Sequence, residues 1–175
     1  IKNNDEESVW NLTTGRQATV DNARKAADMG VDMIVLTGNP GVGVDNEAIM
    51  QALSKLKDAV GDRVILTAGK MHASGIISEA GEKILTEKDI VDFIDAGADV
   101  ILLPAPATVP GITMEYAGKL IKKAHEKGAL AMTTIGTSQE GADEDTIRQI
   151  ALMCKMAGAD IHHIGDSGYM GMALP

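Results

Sequence analysis

The sequence predicts an α/β fold built from repeated strand–helix units on a parallel sheet. Three observations carry this prediction. First, five short apolar runs recur: Met33-Ile34-Val35-Leu36, Val64-Ile65-Leu66, Val100-Ile101-Leu102-Leu103, Leu130-Ala131-Met132 and Ile161-His162-His163-Ile164. Their first residues lie 31, 36, 30 and 31 positions apart. Second, each run is continuous rather than alternating, as expected for a strand covered on both faces. Third, amphipathic helical patterns fill the intervals, and Gly30, Gly97, Gly128 and Gly158 each lie two or three positions before a run. A strand–helix period of about 30 residues implies right-handed crossovers and therefore parallel strands.

The elements follow in order. Thr19 opens a first helix that stops at Gly30-Val31-Asp32, just before the first run. Asp45 opens a helix near 46–59, where Ile49, Leu53, Leu56 and Val60 share one face. Thr86 opens the next; Asp89, three residues on, forms a capping box with Asp in the usual Glu place. That helix stops at Gly97-Ala98-Asp99. Thr113 opens a helix near 114–127 with Tyr116, Leu120, Ile121 and Ala124 on one face and Gly128 beyond it. Asp143 opens the last, near 144–157, with Ile147, Ile150, Ala151 and Cys154 aligned and Gly158-Ala159-Asp160 at its end. The five openers can accept bonds from first-turn N–H groups, and glycine takes the left-handed cap conformation without a Cβ clash. Asp32, Asp99 and Asp160 lie on the helix-to-strand side, away from the strand ends that carry chemistry in such folds. They are read as turn-bonding residues.

Composition bounds the function. The 175 residues carry 16 Lys+Arg against 25 Asp+Glu, a formal charge of −9, with 45% apolar residues. An acidic chain is poorly suited to neutralising phosphates, and 2% aromatics offers no base-stacking platform, so no nucleic acid is expected. No apolar run reaches transmembrane length, so no membrane is expected, and the polar start shows no signal peptide. A single cysteine excludes an internal disulfide and a cysteine metal cluster. A cytoplasmic location is the expectation. Two architectures compete: an open doubly wound sheet and part of a (β/α)8 barrel. A barrel needs about 250 residues, so the chain would supply five of eight units. The sequence opens without a strand before its first helix and stops soon after the last run. Five strands alone would leave long apolar edges. The expectation is the C-terminal five strands of a (β/α)8 TIM barrel, a single domain over 1–175, incomplete at its N-terminus and lacking the final helix.

Five motifs occur in order: Leu36-Thr37-Gly38-Asn39-Pro40, Ala68-Gly69-Lys70-Met71-His72, Leu103-Pro104-Ala105-Pro106, Thr134-Ile135-Gly136-Thr137-Ser138-Gln139 and Gly158-Ala159-Asp160-Ile161-His162-His163-Ile164-Gly165-Asp166. Together they resemble a bacterial TIM-barrel family often labelled phosphoenolpyruvate phosphonomutase-like or haloacid-dehalogenase-like hydrolase. The likeness runs from about Gly15 to the end. It implies a barrel whose first three strands precede Ile1. Neither label is supported by its own chemistry. A haloacid dehalogenase needs Asp-x-Asp-x-Thr directly after a strand, whereas Asp143-Glu144-Asp145-Thr146 has the wrong spacing and opens a helix. A phosphonomutase relative would carry Lys-x-Cys-Gly-His, and Gly69-Lys70-Met71-His72 lacks that thiol.

In a parallel barrel the carboxyl ends of the strands converge on one face, so chemistry is sought in five loops. The first, Thr37 to Gly43, is glycine-rich before a helix and could present N–H groups to an anion, with Asn39 as a substrate contact. The second opens with Lys70, which could clamp a phosphate or carboxylate or form a Schiff base, and His72, an acid–base candidate. The third, from Pro104 to Gly111, reads as a rigid pocket wall. The fourth and fifth contain small residues suited to close approach of phosphate, and Asp166, which could act as a base, orient a histidine or hold a metal. His162 and His163 point to opposite faces, and the sequence does not say which looks inward. The catalytic candidates are Lys70, His72, His163 and Asp166. The substrate-binding candidates are Asn39, Gly69, Gly136, Thr137, Ser138, Gly165, Ser167 and Gly168. No metal ligand is assigned; a zinc site from His72, His163 and Asp166 lacks supporting spacing. The methionines Met153, Met156, Met170 and Met172 read as fillers of core and loop gaps. The cofactor is unknown, with a divalent metal the one weighed. The expected partner is a small-molecule substrate, and a homo-oligomer stays open. The expected function is a TIM-barrel enzyme acting on a small phosphorylated or carboxylated metabolite by lyase- or mutase-like acid–base chemistry. The alternatives are a metal-dependent hydrolase and a non-catalytic metabolite-binding barrel.

Overall fold

Every apolar run becomes a strand. In this computed structural model, which describes residues 14–39, 43–72, 76–135 and 143–164, helices and strands alternate throughout. Helix α1 (Val20–Asp28) leads to β1 (Met33–Thr37) and α2 (Asn46–Val60) to β2 (Ile65–Gly69). Helix α3 (Glu87–Asp95) leads to β3 (Val100–Pro104), α4 (Met114–Glu126) to β4 (Leu130–Ile135) and α5 (Glu144–Ala157) to β5 (Ile161–Ile164). The strands pair in parallel in the order β1-β2-β3-β4-β5. A doubly wound sheet would reverse its order at a switch point. This sheet never does, so its helices lie in one layer and it curls as a half-barrel, five consecutive units of a (β/α)8 architecture.

Register sorts the side chains. Leu36, Leu66, Ala68, Ile101, Leu103 and Ala131 pack under Ile49, Leu53, Leu56, Ile90, Phe93, Leu120 and Ile121 in the main core. The alternate residues Val100, Leu102 and Met132 form a second cluster on the concave face, joined by Met33, Met71 and Ile161. The continuous runs predict cover on both faces, yet the chain's own helices cover only one. On the concave side Val35, Ile65 and Leu130 remain 41%, 43% and 48% exposed. The runs are continuous because a barrel interior is apolar too, and five strands do not enclose it.

The start and stop signals hold individually. Thr19, Asp45, Thr86, Thr113 and Asp143 each accept a bond from the amide three residues on. Asp89 returns a carboxylate oxygen to the Thr86 amide, completing the capping box. Gly30, Gly97, Gly128 and Gly158 all have positive φ, from 84° to 115°. Asp99 and Asp160 are turn-bonding residues: their Oδ2 atoms accept the Leu66 and Ala131 amides of the preceding strand at 2.9 and 2.8 Å. Desolvation alone would raise the Asp160 carboxyl, but bonds from His125 and Ala131 outweigh it and hold it below the usual range. Met153 packs beside Ile150 and Cys154, whereas Met156 is exposed and fills no gap. Met170 and Met172 lie outside the described residues.

Candidate active site

Parallel pairing brings the carboxyl ends of all five strands to one rim, and the polar residues collect there. Asn39 lies two positions beyond β1, Lys70 directly follows β2, and His72 comes two residues later. Thr134 and His163 occupy the last positions but one of β4 and β5, paired with each other in register.

Lys70 is 4% exposed. Its stem crosses Gly38, where a Cβ would stand 2.4 Å from the lysine Cγ. Ile49 of α2 is the next neighbour there, which puts the stem on the helix-facing side of the sheet. Gly69 has a packing reason of its own: a Cβ would fall 1.8 Å from the Leu102 carbonyl oxygen, so β2 and β3 meet too closely for any side chain. The two described ends of the glycine-rich first loop are bridged. The Asn39 amide donates to the Val44 carbonyl at 3.0 Å, the Val44 amide returns the bond at 3.1 Å, and the Gly38 amide donates to Gly69. These three N–H groups are therefore committed to backbone carbonyls.

Register settles which histidine looks inward. His163 shares the concave face with Thr134, whose Oγ1 lies 3.4 Å from His163 Nδ1 and donates to Met71 Sδ at 3.2 Å. His162 pairs with Thr133 on the helix-facing side, with Nδ1 3.1 Å from the Thr133 hydroxyl. Cys154 of α5 bonds to the same Thr133, and burial pushes its thiol up, which fits a structural cysteine. His72 is half-buried, and desolvation holds its imidazole below the ordinary value, favouring the neutral ring.

The surroundings are firm. The long connection after β2 contains 3-10 turns at Ile77–Glu79 and Gly81–Ile84. Tyr116 of α4 fastens it, its hydroxyl lying 2.9 Å from the carbonyls of both Glu82 and Leu85. Burial and the nearby Glu82 raise that phenol. In the proline-rich loop the Ala105 amide donates to the Thr134 carbonyl and the Thr108 hydroxyl to the Ala105 carbonyl. Asp143 accepts the Thr146 amide, while Glu144 and Asp145 both bond to Arg148. That tetrapeptide is a helix start with its carboxylates engaged, not a nucleophile loop.

The structure thus joins His163 to Thr134 and Met71 and sends the Lys70 stem over the other face. Gly136, Thr137, Ser138, Gly165, Asp166, Ser167 and Gly168 lie outside the described residues. Among the described residues no three His, Cys, Asp or Glu side chains gather for a metal, and no helix is long and apolar enough to cross a membrane. Sequence reasoning passed over Thr134 and Met71. The signal was available in part: once β4 and β5 pair in register, Thr134 falls beside His163.

Solved structures share the fold. Deoxyribose phosphate aldolase from Aeropyrum pernix is similar with a TM-score of 0.61 at 18% identity, over 87% of this chain and 58% of that one. Dihydrodipicolinate synthase from Oceanobacillus iheyensis gives 0.51 at 17%, over 85% and 60%. A protein described as a lyase/mutase from Burkholderia cenocepacia gives 0.53 at 19%, over 85% and 49%. The chain therefore spans at most three fifths of the length of these barrels. At such identities the likeness is one of fold. No curated protein matches the sequence. Residues 1–175 match the Domain of unknown function (DUF7916), and the chain belongs to that family.

Proposed function

We propose that this chain carries the active rim of a (β/α)8-barrel enzyme with lyase- or mutase-like acid–base chemistry on a small phosphorylated or carboxylated metabolite. One observation carries the reading: the rim at the strands' carboxyl ends bears Lys70, His72, Thr134 and His163, whereas Asp99 and Asp160 at the opposite end are engaged in strand bonding. His163 moves the proton on the concave face. His72, kept neutral by burial, is the second acid–base group. Lys70, beside the first loop, is the candidate for binding the anionic group of the substrate at the rim. Asp166 and the small residues Gly136, Thr137, Ser138, Gly165, Ser167 and Gly168 remain the candidates for further contacts to the substrate. Three further strand–helix units close the barrel against the concave face, as the greater length of the similar structures suggests.

The test is a thermal-shift screen of sugar phosphates, keto acids and divalent metals, followed by turnover of the ligand that stabilises the protein. His163→Gln is expected to lower kcat by about 10²–10⁴-fold, the usual share of a general acid–base. Lys70→Ala is expected to raise KM. Full turnover by both variants overturns the assignment. Stabilisation by a metal ion alone, with loss of activity on chelation, replaces it with hydrolysis by metal-bound water.

A further inference from the structure

We infer that Thr134 and Met71 together hold His163 in its Nδ1–H tautomer, making Nε2 the atom that exchanges a proton with substrate. The inference rests on the reading of His163 as the acid–base group and adds the residues that position it. It follows from counting protons. The Thr134 hydroxyl has one hydrogen and lies within bonding distance of two atoms, Met71 Sδ at 3.2 Å and His163 Nδ1 at 3.4 Å. A thioether sulfur carries no hydrogen and can only accept. Both contacts can be hydrogen bonds at once only if the Thr134 proton goes to Met71 and Nδ1 of His163 carries a proton that Thr134 accepts. Thr134 is 1% exposed, so water does not compete for its hydroxyl. Met71 packs in the concave apolar cluster with Val100, Leu102 and Met132, which holds its sulfur in place.

The consequence is chemical. A histidine free in solution favours the Nε2–H tautomer. Reversing it puts the acceptor lone pair on Nε2, the ring nitrogen farther from the sheet. A proton leaving a substrate carbon or hydroxyl then passes to Nε2, its bonding pair stays on the substrate, and the imidazolium formed keeps its Nδ1–H bond to Thr134. No rearrangement of the ring is needed during the step. Thr134 and Met71 are positioning residues in this scheme.

The experiment reads the tautomer in the resting protein. Nitrogen-15 correlation spectra of the imidazole rings, with His163→Gln to assign the signal, are expected to show Nδ1–H at His163. Thr134→Val removes the acceptor and shifts His163 to Nε2–H. Thr134→Ser keeps Nδ1–H, and Met71→Leu frees the hydroxyl proton and moves the population toward Nε2–H. An Nε2–H ring in the unmodified protein, or no change in Thr134→Val, overturns the inference. Because no turnover is measured, that outcome leaves the proposed function standing; full activity of His163→Gln does the reverse.

Discussion

Thr67 lies at the centre of β2, wholly buried, and its hydroxyl oxygen has no hydrogen-bond partner among the described residues. It occupies the concave parity, in register with Val35 and Val100. A buried polar group without a partner costs about 1–3 kcal/mol, and removing it with a group of the same shape can stabilise. Thr67→Val is therefore expected to raise the urea midpoint, by up to about 1–2 kcal/mol in stability. A clear loss of stability would show that the hydroxyl is engaged. His72 makes a second residue-scale prediction. Burial holds its folded pKa below the unfolded value of about 6.5, so as pH falls the unfolded chain takes the proton first. Stability should be constant above that value, fall as pH drops from it through the folded pKa, and level off below. Melting temperatures over about pH 5–8 should show this acid loss, and His72→Gln should flatten it. An unchanged pH profile in the variant would remove the burial argument.

At the element scale, the helix starts carry more than caps. Asp89 closes the capping box of α3 with one oxygen and accepts from Asn46 Nδ2 with the other, at 2.7 Å, tying the start of α2 to the start of α3. Thr86→Ala should cost about 1 kcal/mol, the ordinary value of a lost cap. Asp89→Ala should cost more, because it also strands the Asn46 amide; equal losses in urea denaturation would show the tie to be idle. The contrast marks what the sequence could say. The cap at Thr86 is local, a matter of residues three apart, and could be read directly. So could the strand runs, the glycine stops and the structural role of Asp99 and Asp160. The Asn46 tie joins residues 43 apart in sequence, and nothing local encodes it. The same limit governed the site. That Lys70, His72 and His163 follow or end strands was legible from position alone. The direction of Lys70, the Asn39–Val44 bridge and the choice of His163 over His162 needed contacts between elements, and strand register in particular is left open by one residue in pattern alone. Gly69 has a packing role that local pattern does not show either: a Cβ there would meet the Leu102 carbonyl of the next strand.

For the whole molecule, the concave face decides what the half-barrel can be. Its outer rows expose Val35, Ile65 and Leu130, while β1 and β5 each pair on one side only among the described residues. Exposed apolar side chains next to unpaired strand edges drive association, since both the apolar surface and the free backbone groups gain from a partner. Closure by three more strand–helix units would satisfy both at once, giving the eight strands of a filled barrel. If that surface is built for an interior, the 175-residue chain by itself should bind an apolar dye and self-associate with rising concentration in sedimentation experiments. Replacing Ile65 and Leu130 with Lys should reduce both effects while the far-ultraviolet dichroism stays unchanged, because these two positions face away from the helix-covered core. In the closed barrel the same pair would place two charges in an apolar interior and should destabilise strongly. A chain that stays monomeric and dark to the dye, or a closed barrel indifferent to the two lysines, would mean that the concave face is a finished solvent surface. The chemistry proposed for Thr134 and His163 would then have to work in open water rather than at the mouth of an enclosed barrel.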